Sequence, residues 1–523
     1  MMETEETHVE EQLNVASYFL EHNMEAKGQR VAIYYDNLEY TYKDVLLLTN
    51  QMGNALKSLG VEPENRVYMV LSDSPEFVAC YYAALKIGAI PSIGYTFFSP
   101  KDYQLELNNI RPKVVVANVE FIDRLRDAIR HCRYPKNLLL IGNSMPTLQK
   151  GEVDLSTRMN RADDSLEAEP THKDDIAIWG FSGGTTGLRK IIPHRHYSLA
   201  FAYEAYNKIV RYTEEDIILP VPKLFFGYGR TGSILYPFRV GAAAVLFQER
   251  STPERIFDFI EKYRPSILIN TPTMIRKMLE VAKGRDFDLS CLRLTMSAGE
   301  ALSAQLYHEW VNRFGSEIVD GVGSGELFYN FTLNIPGKVV PGSVGKPLPG
   351  YEVKIVDDEG HELPDGEVGV LIAKGGSAGT HYLRNYEKTK KTFRGEWVYT
   401  EDLFSKDRNG YLFFFGRRDD LLKVSGYFVS PTEIEACLGT HPDVALCAVV
   451  GVRDEDGLDK TKAFVVLRKG LTGSEAMADE LKIYTKEKLS PHKYPRIIEF
   501  VSDLPMTRTG KVDRRKLKNQ EKG

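Results

Sequence analysis

The 523 residues are too many for one ordinary domain and suggest two to four. With 43% hydrophobic and 27% charged residues and a net charge of −5, the chain reads as soluble and globular, with no general pull toward nucleic acid or anionic lipid. Five scattered cysteines (Cys80, Cys132, Cys291, Cys437 and Cys447) form no CxxC pair, which points to a reducing compartment and away from structural zinc.

The acidic start, Met1 to Gln12, lacks the apolar core of a signal peptide, and no run approaches ~18 apolar residues, so a cytoplasmic chain without a membrane span is expected. From about Val15 to Gly60, two helical patterns flank a hairpin-like stretch. Arg66 to Leu71 reads as a strand ended by Ser72-Asp73-Ser74-Pro75, and Phe77 to Gly88 as an Ala-rich helix. Lys113 to Ala117 and Asn137 to Ile141 are buried strands around a charged helix, Phe121 to His131. Strand, helix, strand at this spacing predicts a parallel sheet. Gly151 to Asp174 reads as a polar surface connection leading to the apolar strand Ile176 to Phe181. Strands at Ala242 to Phe247, Ser266 to Asn270 and Leu292 to Ser297 alternate with helices at Pro253 to Tyr263 and Pro272 to Lys283, a second parallel sheet. From Gly342 to Gly416, short alternating strands with Gly and Pro turns suggest a small antiparallel sheet or distorted barrel. Cys447 to Val452 and Ala463 to Leu467 (strands), Glu475 to Leu489 (helix) and Ile497 to Val501 (strand) then make a compact α+β domain with a basic tail.

The chemistry gathers in a few stretches. Ser182-Gly183-Gly184-Thr185-Thr186-Gly187-Leu188-Arg189-Lys190 combines glycines, hydroxyls and a lysine, which suits a polyphosphate. It is not the Walker pattern, because Ile191 follows the lysine. Ser297-Ala298-Gly299-Glu300-Ala301 ends a predicted parallel strand, the edge that ligands favour. A second Gly-rich loop, Asp320 to Gly325, leads to Glu326, a carboxylate suited to Mg²⁺. Asp402 could accept ribose hydroxyls, Arg417 stands beside an acidic pair, and Lys511 sits on a terminal Gly-Lys turn. Gly227 to Gly232 matches G-x-G-x-x-G but follows no strand, so it is read as a decoy.

Taken in order, SGGTTGLRK, SAGEAL, DGVGSGE, YTED, GRRDDLLKVSGYFVSPTEIE and PMTRTGKVDRRKL resemble the adenylate-forming superfamily of acyl-CoA synthetases, peptide-synthetase adenylation domains and firefly luciferase. The resemblance runs from about Thr41 to Leu517. Lys223 to Gly229, SAGEAL and VDGVGS are most similar to benzoate-CoA ligases and related aryl-CoA ligases. It implies an α/β fold: a large N-terminal domain, 1–416, of two parallel-rich sheets with helices plus a small distorted β-barrel. A hinge at 417–420 and a small mobile α+β domain, 421–523, follow. It also implies ATP, Mg²⁺ and coenzyme A, with a compact ring carboxylic acid as substrate, an acyl-AMP intermediate, and a monomer or homodimer.

By that resemblance Ser182, Gly183, Gly184, Thr185, Thr186, Gly187 and Lys190 hold the β- and γ-phosphates. Gly299, Glu300 and Ala301, with Asp320, Gly321 and Gly323, sandwich adenine, and Asp402 and Arg417 hold ribose. Glu326, with Thr186, holds Mg²⁺. Lys511 bridges carboxylate and α-phosphate in the first step. Lys423, Ser425, Gly426 and Tyr427 face the site in the CoA step, and Asp419 is the hinge. Phe226, Tyr228, Gly323 and Tyr329 line the acyl pocket. Three departures stand out. Gly325 replaces the usual threonine, removing a phosphate contact unless Ser324 supplies it. Arg189 and Ile191 replace the usual proline and glycine, Arg189 adding charge at the loop's exit. Tyr329 stands where benzoate-type ligases carry histidine. Other readings that stay open are loading of a carrier-protein thiol, a short- or medium-chain fatty acid ligase, and a nucleotide-binding pseudoenzyme.

Overall fold

The computed structural model describes residues 10–134, 137–183, 188–418, 422–424, 427–453, 459–489, 493–507 and 512–520. The chain divides into two compact units. One runs to Val353 and includes Ala373–Val398; the other comprises Lys354–Ile372 and the chain from Tyr399.

The first unit holds two parallel-rich sheets, as expected. In the larger, seven strands lie in the order Ile318–Asp320, Leu294–Ser297, Ile267–Asn270, Ile217–Pro220, Ala243–Leu246, Val31–Tyr35, Leu38–Thr41. All neighbours are parallel except the last two, which form the N-terminal hairpin. Strands Ala243–Leu246, Ile267–Asn270 and Leu294–Ser297 are short and buried along their length, as parallel strands covered on both faces must be. Helices Pro253–Tyr263 and Pro272–Val281 cover one face. Each begins with a threonine cap, Thr252 or Thr271, that accepts a backbone N–H, and each has proline in its first turn. Their inward faces join Leu219, Leu268, Ile318 and the fully buried Trp310 of helix Ala304–Phe314 in one core. Each large apolar side chain so buried contributes about 1.5–3 kcal/mol.

The second sheet is parallel throughout, in the order Ile90–Ile93, Arg66–Val70, Val114–Asn118, Leu138–Ile141, Glu152–Asp154. Its last strand and the helix Leu155–Met159 lie inside the stretch expected to be a surface connection. Strand Glu152–Asp154 is only half-buried and carries two acids, so no apolar signal marked it.

Ile176–Ser182 pairs antiparallel with Lys190–Arg195 as a two-stranded ribbon, with Phe181 opposite Ile191 and Ser182 opposite Lys190. Ile191, Trp179 and Phe181 pack on the core of the five-stranded sheet beside Tyr68 and Tyr103. The stretch read as a buried strand is therefore one strand of a half-buried ribbon. The G-x-G-x-x-G decoy is helical. Gly227–Arg230 forms one α-turn and Thr231–Leu235 a wider π-turn, with no strand leading in.

In the second unit, residues 402–406 pair antiparallel with Leu412–Arg417. A short ribbon, Leu422–Val424 with Tyr427–Val429, precedes a three-stranded sheet of Val444–Arg453, Asp459–Leu467 and Ile497–Phe500. Helices Pro431–Leu438 and Glu475–Lys488 supply Ile434, Leu438 and Leu481 to its core. This is the expected α+β domain. Among the described residues, no helix is long and apolar enough to cross a membrane.

Candidate active site

Leu294–Ser297 and Ile318–Asp320 are adjacent parallel strands, and Ser297 and Asp320 face each other in register at their C-terminal ends. Here the chain leaves the sheet in two loops. The first carries Gly299, Glu300 and Ala301. Glu300 turns its carboxylate back, accepting from the Thr273 N–H at 3.1 Å and the Thr273 hydroxyl at 2.6 Å, so this loop offers its backbone rather than that charge. Asp320 is buried, and burial drives its carboxyl well above the usual range, against the opposing pull of the Ser297 hydroxyl and the Gly321 N–H.

The second loop, Gly321 to Asn330, doubles back so tightly that Gly323 pairs with Asn330 as an isolated bridge. A Cβ on Gly323 would lie 2.7 Å from Asn330 Oδ1 and 2.9 Å from the Tyr329 carbonyl, so only glycine fits. At the far end of this loop Phe328 adopts φ 71° and ψ −53°, and the Tyr329 N–H donates to the Leu327 carbonyl at 2.9 Å. That is a γ-turn of the rarer, positive-φ kind. Such backbone strain costs about 1–3 kcal/mol and persists only where the surroundings impose it.

This loop delivers two side chains. Glu326 meets Lys190, whose Nζ lies 3.6 Å from Oε1. The Tyr382 hydroxyl donates to the same oxygen at 2.7 Å and accepts from Lys190 Nζ at 3.2 Å. Burial works to raise the Glu326 carboxyl, but Lys190, Tyr382 and Ser182 together hold it below the usual carboxylate range. The site therefore keeps an ionised carboxylate next to a cation. Tyr382 had no signal in the sequence beyond its place after the Gly-rich run 375–379.

Tyr329, three residues on, enters a wall of aromatics. It stacks with Tyr228 at 5.9 Å and 28°, and meets Tyr206 and Tyr236 edge-on at 5.2 and 5.1 Å. Phe226 caps the helix that carries Tyr228, and its ring lies 5.2 Å from Tyr95. The stretch is anchored from behind by Asp73, whose carboxylate accepts from the Leu224 N–H at 3.0 Å and faces Lys223 at 3.8 Å. Burial pushes Asp73 up to about 6 despite Lys223, and burial lowers Lys223 to about 8 despite Asp73. Sequence reading had taken Asp73 for a strand terminator.

Two of the departures acquire physical reasons. A Cβ at Gly325 would lie 3.1 Å from Ser182 Cβ, 3.2 Å from Ile192 Cδ1 and 3.3 Å from the Phe181 carbonyl. The Gly325 carbonyl faces His194 Nε2 at 2.8 Å, and Nδ1 of that ring faces the Ser377 carbonyl at 3.2 Å. Burial lowers His194 to about 4, so the ring is neutral at pH 7. Ser324 accepts from the Leu327 N–H at 3.2 Å, capping the turn. Gly325→Thr is expected to lower the thermal transition by an overpacking cost of ~1–3 kcal/mol. An unchanged transition by scanning calorimetry would show that Ser182 and Ile192 give way. Arg189, expected to add charge at the loop's exit, pairs instead with the buried carboxylate of Glu106. That expectation is corrected: a guanidinium between apolar rings is held there by its carboxylate partner.

In the second unit, Asp402 and Arg417 are register partners, Arg417 Nε lying 3.3 Å from Asp402 Oδ1. The expected ribose pair thus shares one hairpin. Lys423 and Tyr427 lie on the two strands of the short ribbon. Gly184, Thr185, Thr186, Gly187, Asp419, Ser425, Gly426 and Lys511 lie outside the described residues.

Comparison with known proteins agrees over nearly the whole chain. Residues 20–383 match the family of AMP-binding enzymes, and residues 433–511 match the AMP-binding enzyme C-terminal domain. A benzoate–CoA ligase of Thauera aromatica is 37% identical over 515 residues, 98% of this chain and 97% of that protein. A 4-hydroxybenzoate–CoA/benzoate–CoA ligase of Rhodopseudomonas palustris is 36% identical over 514 residues, 98% of this chain and 94% of that one. The crystal structure of an anthranilate CoA ligase in complex with anthranoyl-AMP superposes with a TM-score of 0.93 at 36% identity, covering 98% of both chains.

Proposed function

The chain belongs to the family of AMP-binding enzymes, and from that premise we propose that it joins an aromatic carboxylic acid to coenzyme A through an acyl-AMP. It is an ATP-dependent, AMP-forming carboxylate–CoA ligase. The observation that supports the reading best is that one short loop carries both halves of the chemistry. Gly321 to Asn330 brings Glu326 to Lys190 and brings Tyr329 to the aromatic wall. A phosphate site and a ring-acid site are therefore built back to back.

The substrate carboxylate attacks the α-phosphate of ATP, forming the acyl-AMP and releasing pyrophosphate. The thiol of coenzyme A then attacks the acyl carbonyl, and AMP leaves. Lys190 would hold the β- and γ-phosphates. Glu326, kept ionised by its neighbours, is the kind of hard oxygen donor that Mg²⁺ takes together with substrate phosphates, and Thr186 is the second residue assigned to it. The bound ion supplies charge neutralisation on the departing pyrophosphate. Gly299 to Ala301 and Asp320 to Gly323 would bracket adenine at the strand ends, and Asp402 with Arg417 would hold ribose. Lys511 would serve the first step and Lys423, Ser425, Gly426 and Tyr427 the second, with the terminal domain turning about Asp419 between them.

Phe226, Tyr228 and Tyr329 are bulky, and Tyr329 is only 4% exposed among its neighbours, so the acyl site should end early. In a pyrophosphate-exchange assay, benzoate and its amino or hydroxy derivatives are expected to exceed octanoate in kcat/KM by about 10²-fold, the scale on which a filled apolar pocket discriminates. AMP release should require coenzyme A. Octanoate outcompeting benzoate would overturn the ring-acid assignment.

A further inference from the structure

One buried charge pair braces the site without touching its reacting groups. Arg189 stands directly before Lys190. Its Nε donates to Glu106 Oε1 at 2.5 Å, and its Nη2 donates to Glu106 Oε2 at 2.7 Å and to the Ile93 carbonyl at 2.8 Å. The guanidinium is sandwiched between Phe181, 4.0 Å away, and Tyr95, 4.3 Å away. Glu106 also accepts from the Tyr68 hydroxyl at 2.6 Å. The two charged side chains are 10% and 6% exposed.

Such a pair is weak evidence for stability, because apolar residues of similar size usually fill the same space as well. What it provides is geometry. A planar fork on a carboxylate fixes direction as well as distance, which a point charge does not. Phe181 lies on the incoming strand of the ribbon and Arg189 immediately before the outgoing one, so one guanidinium ties both. Neighbouring side chains then part: Arg189 goes to Glu106, and Lys190 goes to Glu326 and Tyr382.

We propose that Arg189 and Glu106 are positioning residues that hold Lys190 in place for the phosphates of ATP. This rests on the ligase reading above. The test is pyrophosphate exchange by the full-length chain, with KM measured separately for ATP and for the acid. The variants are Arg189→Met, Glu106→Gln and the double variant. In the double variant the new amide can still accept from the Tyr68 hydroxyl, and neither charge is left buried alone, as each single change would leave one. KM for ATP is expected to rise on the order of 10-fold to 10²-fold, the scale of ångström misplacement, while KM for the acid moves less than about twofold. The thermal transition of the double variant should stay close to that of the unaltered chain. A double variant with unchanged KM for ATP would reduce the pair to packing and overturn the proposal. An unaltered chain that exchanges pyrophosphate with no acid would overturn the ligase reading instead.

Discussion

Lys511→Ala is expected to slow acyl-adenylate formation by ~10²–10³-fold, the cost of losing one preorganised contact to developing transition-state charge. Thioester formation from supplied acyl-AMP should proceed near the unaltered rate. The split follows from the two steps. Negative charge must be brought together when a carboxylate approaches the α-phosphate, and a lysine between them offsets that repulsion. In the second step the phosphate is a leaving group and the attacker is a thiol, so this cation has no comparable task. Lys511 stands in the Gly-Lys pair to which the resemblance assigns this role. Pyrophosphate exchange measures the first step, and thioester formation from synthetic acyl-AMP the second. Equal slowing of both would remove Lys511 from this role.

The second large effect is expected at Glu326. Glu326→Gln keeps the shape of the side chain and an acceptor for the Tyr382 hydroxyl but discards the charge that faces Lys190. Because the surroundings hold this group ionised, substitution changes its state at any pH near neutrality. Phosphoryl chemistry relies on positioning and charge neutralisation, so the rate of exchange should fall by ~10²–10³-fold. The Mg²⁺ concentration giving half-maximal exchange should rise in parallel. A slower variant with unchanged Mg²⁺ dependence would leave Glu326 as a partner of Lys190 alone.

The parts legible in the sequence were those with local causes. Pro253–Tyr263 and Pro272–Val281 announce themselves by a threonine cap, a proline and an apolar face. The short parallel strands are continuous apolar runs. The Gly-rich loops and their charged ends were visible because a backbone that must fold closely requires glycine, as Gly323 shows. What was hidden depends on distant partners. Nothing around Arg189 reveals Glu106, 83 residues away in the chain. Asp73 gives no hint of Lys223, nor Lys190 of Tyr382, 192 residues on. Strand Glu152–Asp154 carries no apolar period and exists because a sheet edge was there to pair with. Gly325 read as a missing hydroxyl. Its crowding by Ser182 and Ile192 appears only when the ribbon is laid against the loop.

The γ-turn at Phe328 has a consequence for how such an enzyme can diversify. Phe328 stands between Leu327, next to Glu326, and Tyr329 on the aromatic wall, and its backbone sits where few side chains tolerate it. A change in this loop's backbone that moves Tyr329 is therefore expected to move Glu326 as well, and a gain in substrate range won that way should arrive with a loss in ATP use. Relaxed selectivity is more accessible from the opposite side of the wall, at Tyr206 or Tyr228, whose backbones belong to helices rather than to that loop. If the proposed roles hold, the chain would separate a conservative surface, serving every acid alike, from an adjustable one, on which new substrates could be tried without rebuilding adenylation.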